Sequence, residues 1–99
     1  MSMLDVAGST PIADVRWRQR VQVSGQVRSL RVRPWADVAT LELVLVDDTG
    51  GVTVAFLGRR RLGGIHPGSE LTVEGMVGQH GGKLVILNPA YTLKRVVGA

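Results

Sequence analysis

The side chains in this sequence best suited to chemistry are cations flanking an aromatic. Arg28, Arg31 and Arg33 lead into Pro34-Trp35, and Arg59, Arg60 and Arg61 stand in a row. A guanidinium presents a planar fork of donors that can bond two oxygens of a phosphate at once, which an ammonium cannot do. Residues 16–33 contain six Arg and no acid, whereas residues 37–48 contain four acids and no base. Such segregation suits a polyanionic ligand; a solvated charged surface is the competing account. For Arg28, Arg31 and Arg33, the alternative role is a strand edge charged against edge-to-edge pairing. For Arg59, Arg60 and Arg61, it is capping of nearby carbonyls or pairing with Asp47-Asp48. Trp35 beside Arg33 would offer a base a stacking surface worth about 1–3 kcal/mol. The alternative is an indole folded over the mouth of the core. Lys83, with His80 as a lesser candidate in the same loop His80-Gly81-Gly82-Lys83, and Tyr91 complete the set.

Catalytic patterns do not emerge. His66 and His80 each sit beside turn residues, with no acid or nucleophile close in sequence. There is no GxxxxGK[ST] phosphate loop and no GxGxxG after a strand. Asp47-Asp48 could offer oxygens to a hard cation, but a turn explains them fully with Thr49-Gly50-Gly51. The chain has no Cys, which excludes disulfides and thiolate metal sites. The expectation is a non-catalytic chain with no cofactor and no metal.

Ninety-nine residues fit one domain, with a core at about 18–93 and flexible tails at 1–9 and 95–99. A chain of this size buries roughly 65% of its extended surface on folding, enough for an unstapled core. The net charge is +4. No apolar run is long enough for a membrane span, and the N-terminus lacks the basic and apolar regions of a signal peptide. A soluble, cytoplasmic protein is expected.

The elements that must position these residues are strands. Residues 39–57 read as a hairpin. Leu41, Leu43 and Leu45 alternate with Glu42, Val44 and Val46, Asp47 to Gly51 turn the chain, and Val52, Val54 and Phe56 alternate on the return. Residues 18–32 form a first strand with Val21, Val23, Gly25 and Val27 on one face. The alternation is expected to continue through Leu30, Arg31, Val32 and Arg33 until Pro34 ends it. Gly25 would permit a bend at a barrel corner. Residues 70–79 and 84–93 supply two more strands around the His80-Gly81-Gly82-Lys83 turn, with Asn88-Pro89 interrupting the last. Residues 10–15 suit one helical turn, with Ser9 or Thr10 as cap, Pro11 in its first position, and Ile12 and Val15 plugging the core. Leu62 and Ile65 suit a second such turn between strands three and four. Trp17 is expected to cover the core. Five strands with an insert after the third suit a small all-β, OB-type Greek-key barrel best, with an SH3-like barrel as the alternative.

The succession VQVSGQV, LELVLVDDTGGVTVAFL, HPGSELTVEGMV and KLVILNPAYTL resembles the OB-fold nucleic-acid-binding domains of the anticodon-binding and helicase-wedge type. The resemblance rests on Gly25, Asp47-Thr49-Gly50, Phe56, Gly68-Leu71-Val73-Gly75 and Pro89, and covers residues 21–93. It implies binding on the face of strands two and three, flanked by residues 33–39 and 79–83. The ligand it implies is nucleic acid, single-stranded DNA ahead of RNA, with a separate helicase or nuclease as the associated enzyme. The sequence departs from the family in having no aromatic on strand two, so Arg should dominate and sequence preference should be weak. Phe56 suits the core better than a binding platform. The alternative is a protein-interaction module or homodimer that uses Val44 and Val46 as an exposed apolar patch.

Overall fold

The computed structural model describes residues 9–94, so the expected tails, except Ser9, lie outside the described residues. A 3-10 turn, Ile12–Asp14, precedes β1 (Arg20–Trp35), β2 (Val38–Val46), β3 (Gly51–Leu57), β4 (Glu70–His80) and β5 (Lys83–Leu93). The strands close into a barrel in the order β1-β2-β3-β5-β4. Neighbours are antiparallel except β3 and β5, which pair in parallel at Thr53, Val54 and Ala55 against Val85, Ile86 and Leu87. This is the expected OB-type order.

The hairpin at residues 39–57 forms in the expected phase. Leu41, Leu43 and Leu45 pair with Phe56, Val54 and Val52, and all six are buried in the barrel core. Both strands therefore present one apolar row to the interior, as a period of two requires. The turn is built by Asp47, whose Oδ1 accepts the N–H groups of Thr49 (2.7 Å) and Gly50 (3.1 Å) and the Thr49 hydroxyl (2.6 Å). Its Oδ2 accepts the Ile12 N–H at 3.0 Å, and Thr49 Oγ1 accepts the Ala13 N–H at 3.0 Å. The same turn thus pins the 3-10 element, whose Ile12 and the following Val15 fill the adjoining end of the core. Pro11 is the residue before that helix rather than its first position, and no side chain caps it.

Strand β1 is long because it serves two neighbours. It pairs with β4 from Arg20 to Gln26 and with β2 from Gln26 to Trp35. Gly25 sits where the partner changes. A Cβ there would lie 2.5 Å from the Val46 carbonyl oxygen, so only glycine permits the close approach that turns this corner. The uninterrupted alternation expected along β1 is corrected by a bulge. Val27 pairs with Leu45 and Ser29 with Val44, which leaves Arg28 as an extra residue. The apolar face then changes from Val21, Val23 and Val27 to Leu30 and Val32, which pair with Leu43 and Leu41; Leu30 is partly buried against the core, and Val32 is 43% exposed. Nor does Pro34 end the strand. It pairs with Ala39, and Trp35 pairs with Val38. The expected loop at residues 33–39 reduces to the two-residue turn Ala36-Asp37, both at positive φ (47° and 69°).

Between β3 and β4 the chain makes two hydrogen-bonded turns, Ile65 N–H to the Leu62 carbonyl at 3.2 Å and Ser69 N–H to the His66 carbonyl at 3.0 Å. Leu62 and Ile65, the ends of the first turn, are buried and join the core. Asn88-Pro89 forms the expected interruption in β5. Glu74 pairs with Ala90 and Met76 with Leu87, so the ladder shifts register there, and Asn88 has φ 44°. Trp17 does not cover the core as expected. It is half exposed, with the Arg18 guanidinium 4.2 Å above its ring.

Candidate functional site

The bulge at Arg28 decides which side chains share a surface. Downstream of it, Ser29, Arg31, Arg33 and Trp35 lie on the face of β1 opposite Leu30 and Val32. Their cross-strand neighbours include Val44 and Glu42 of β2, and Val44 in turn pairs with Thr53 of β3. The β4–β5 turn, Gly81-Gly82 with both residues at positive φ, brings His80 and Lys83 to the same place. Together these residues line a groove of about 280 Å³ on the outside of the barrel.

The groove has a cationic wall and an aromatic end. Arg31, Arg33 and Lys83 line it. Among the described residues only Arg31 of these three has an acidic neighbour, with its Nε 3.9 Å from Glu42 Oε1. Glu42 is largely buried on the groove floor and also accepts the Trp35 indole N–H at 2.6 Å. Trp35 is only 9% exposed and packs with Ala55, Val85 and Leu87 in a small apolar cluster separate from the barrel core. His80, exposed at the β4–β5 turn, stacks on it with ring centroids 3.6 Å apart and planes 1° from parallel. The indole is therefore neither a bare loop-tip platform nor a lid over the mouth of the core. It packs on the outer surface of the barrel beneath another ring.

The remaining candidate residues are dispersed. Arg28 is the exposed bulge residue and does not line the groove. Arg60 and Arg61 line a different depression with Leu30, Val32, Leu41, Leu62 and Ile65, which Arg31 also borders. Arg59 is exposed and lines neither depression. Among the described residues none of Arg59, Arg60 and Arg61 pairs with Asp47 or Asp48. Tyr91 packs edge-on against Phe56, ring centroids 5.6 Å apart, away from the groove, while Phe56 belongs to the core. Val44 and Val46 are half-buried, and Val44 lines the groove, so they do not form the open apolar patch that the protein-module alternative needs. Sequence reasoning gave His80 too little weight and passed over Glu42. The signal for the bulge was present. Apolar residues move from odd positions (Val21, Val23, Val27) to even ones (Leu30, Val32), which places Arg31, Arg33 and Trp35 on one outer face.

No helix among the described residues is long and apolar enough to cross a membrane, and those residues contain no cluster of His, Asp and Glu able to hold a metal ion. Both carboxylate oxygens of Asp47 are occupied by the hydrogen bonds given above.

No protein-family model matches the chain, and no curated protein matches its sequence. Solved structures do match its shape. The solution NMR structure of the OB domain of Ta0387 from Thermoplasma acidophilum superposes with a TM-score of 0.71 at 16% identity, over 88% of this chain and 87% of that one. The second OB-fold domain of replication protein A from Methanococcus maripaludis superposes with a TM-score of 0.64 at 16% identity, over 92% of this chain and 97% of that one. At this identity the likeness establishes the OB fold.

Proposed function

We propose that this chain binds single-stranded nucleic acid, DNA ahead of RNA, without catalysis and with weak sequence preference. The observation that carries the reading is the convergence of Arg31, Arg33 and Lys83 on one groove across β1, β2 and β3, beside an aromatic pair. This is the face through which OB barrels take oligonucleotides. The likeness to a domain of a replication protein supports the reading at the level of fold.

The division of labour follows from the side-chain types. Guanidinium and ammonium groups hold the backbone phosphates, which fixes the strand without reading its sequence. Val44 and Val85 give the groove apolar surface where bases can shelter. Contacts that go to phosphate carry no sequence information, so preference is weak. A helicase or nuclease that generates or consumes single strands is the class of partner this reading implies. The finer resemblance to anticodon-binding and helicase-wedge domains belongs to the same proposal.

The test is fluorescence anisotropy of a labelled single strand at two salt concentrations. Three phosphate contacts predict that log affinity falls by about 2 for each tenfold rise in salt. Absence of binding at low salt would reject the reading.

A further inference from the structure

We propose that the Trp35 indole is a nucleobase subsite which His80 fills in the unbound protein, and that a base of the bound strand takes the place of the imidazole. This rests on the reading above and names what occupies one part of that groove.

The two rings differ in how they are held. Trp35 is built in. It is 9% exposed, donates its N–H to Glu42 at 2.6 Å, and packs with Ala55, Val85 and Leu87. His80 is exposed, borders the Gly81-Gly82 turn, and its ring has no hydrogen bond among the described residues. The imidazole lies on Trp35 at 3.6 Å between centroids and 1° from parallel. That is the spacing and orientation of a base on an aromatic platform. The imidazole is removable, and the indole is not.

A base presents a larger π face than an imidazole and brings its phosphate with it. Arg33 and Lys83 line the same groove and are positioned to receive that phosphate. Every base has such a face, so the exchange tolerates any sequence. A duplex, whose bases already stack on one another, offers none. The ligand of the subsite is therefore one unstacked base of a single strand, and His80 is its competitor.

The full chain and His80→Ala are titrated against a labelled oligothymidylate by anisotropy at low salt, with melting curves to show that both are folded. Loss of the competing ring should tighten binding by about 2- to 10-fold, the equivalent of one aromatic pair, and leave the salt slope unchanged. His80→Asn should behave alike and serves if the alanine variant is unstable. In a Trp17→Phe background Trp35 is the sole Trp, and oligonucleotide should quench its emission more in His80→Ala than in the parent. Binding by the variant alone would also support the inference. If the parent binds and His80→Ala binds equally or more weakly, the inference falls and the single-strand reading stands. If neither binds at low salt, both fall.

Discussion

Trp35 donates its indole N–H to Glu42 at 2.6 Å across seven residues of sequence, so the ring lies back along the outer face of the β1–β2 ribbon toward Arg31. Arg31 Nε is 3.9 Å from the other carboxylate oxygen. One acid inside a cationic groove therefore orients both the aromatic and a cation. Replacing it separates these roles. Glu42→Ala leaves a largely buried N–H without its acceptor and should destabilise the fold by about 1–3 kcal/mol in urea melts. Glu42→Gln keeps a carbonyl acceptor and should destabilise less. It also removes the one negative charge lining the groove, so single strands should bind it more tightly than the parent.

Trp35→Ala should lower stability as well as affinity. The indole is the largest member of the apolar cluster with Ala55, Val85 and Leu87, and truncating a buried aromatic costs about 3 kcal/mol. In a chain of this length that corresponds to a fall in Tm of more than ~10 °C by scanning calorimetry. An unchanged Tm would mean that the indole does not pack as described.

Asp47 should govern part of the acid limb of stability. Partial burial raises its pKa. Hydrogen bonds from the Thr49 hydroxyl and from the backbone N–H groups of Ile12, Thr49 and Gly50 outweigh this and hold it below the ordinary value of 3.8. A carboxyl depressed on folding contributes stability that is present above its unfolded pKa and lost as pH falls through its folded one. Its share should therefore disappear below about pH 4. Asp47→Asn should be less stable than the parent at pH 7, and the difference should shrink in melts below pH 4.

Deleting Arg28 tests the bulge. Without the extra residue, Arg31, Arg33 and Trp35 would be forced inward and Leu30 and Val32 outward. The deletion should unfold the barrel, whereas Arg28→Ala, which leaves the residue count intact, should change stability by no more than about 0.5 kcal/mol. Circular dichroism of the two variants reads the contrast directly. A folded deletion would show that the register can slip.

Salt dependence distinguishes the two groups of cations. Arg33→Ala and Lys83→Ala should each reduce the slope of log affinity against log salt by about 0.7. Joint replacement of Arg59, Arg60 and Arg61 by Ser should leave the slope unchanged, because none of them lines the groove. A reduced slope for the triple variant would bring that cluster into the path of the strand.

The sequence by itself determined the barrel. Period-two alternation specifies which face of each strand is apolar, and Asp47-Asp48-Thr49-Gly50 and Gly81-Gly82 specify where the chain reverses. Both are local signals, carried by residues within a few positions of one another. The corner at Gly25 and the plug made by Ile12 and Val15 were legible for the same reason. The candidate site was legible only in part. Arg31, Arg33, Trp35 and Lys83 were identifiable by type, and the move of apolar residues from odd to even positions set the first three apart from Arg28, but nothing local distinguished the group from Arg60, Arg61 or Tyr91. Tertiary structure decided that. The bulge turns the second half of β1 outward, and barrel closure brings the β4–β5 turn beside it. The Trp35 ring is thereby set between Glu42, seven residues away, and His80, which is distant in sequence. Side chains that far apart meet only once the ring of strands has closed, so their pairing follows from the geometry of closure and not from the pattern of any one strand.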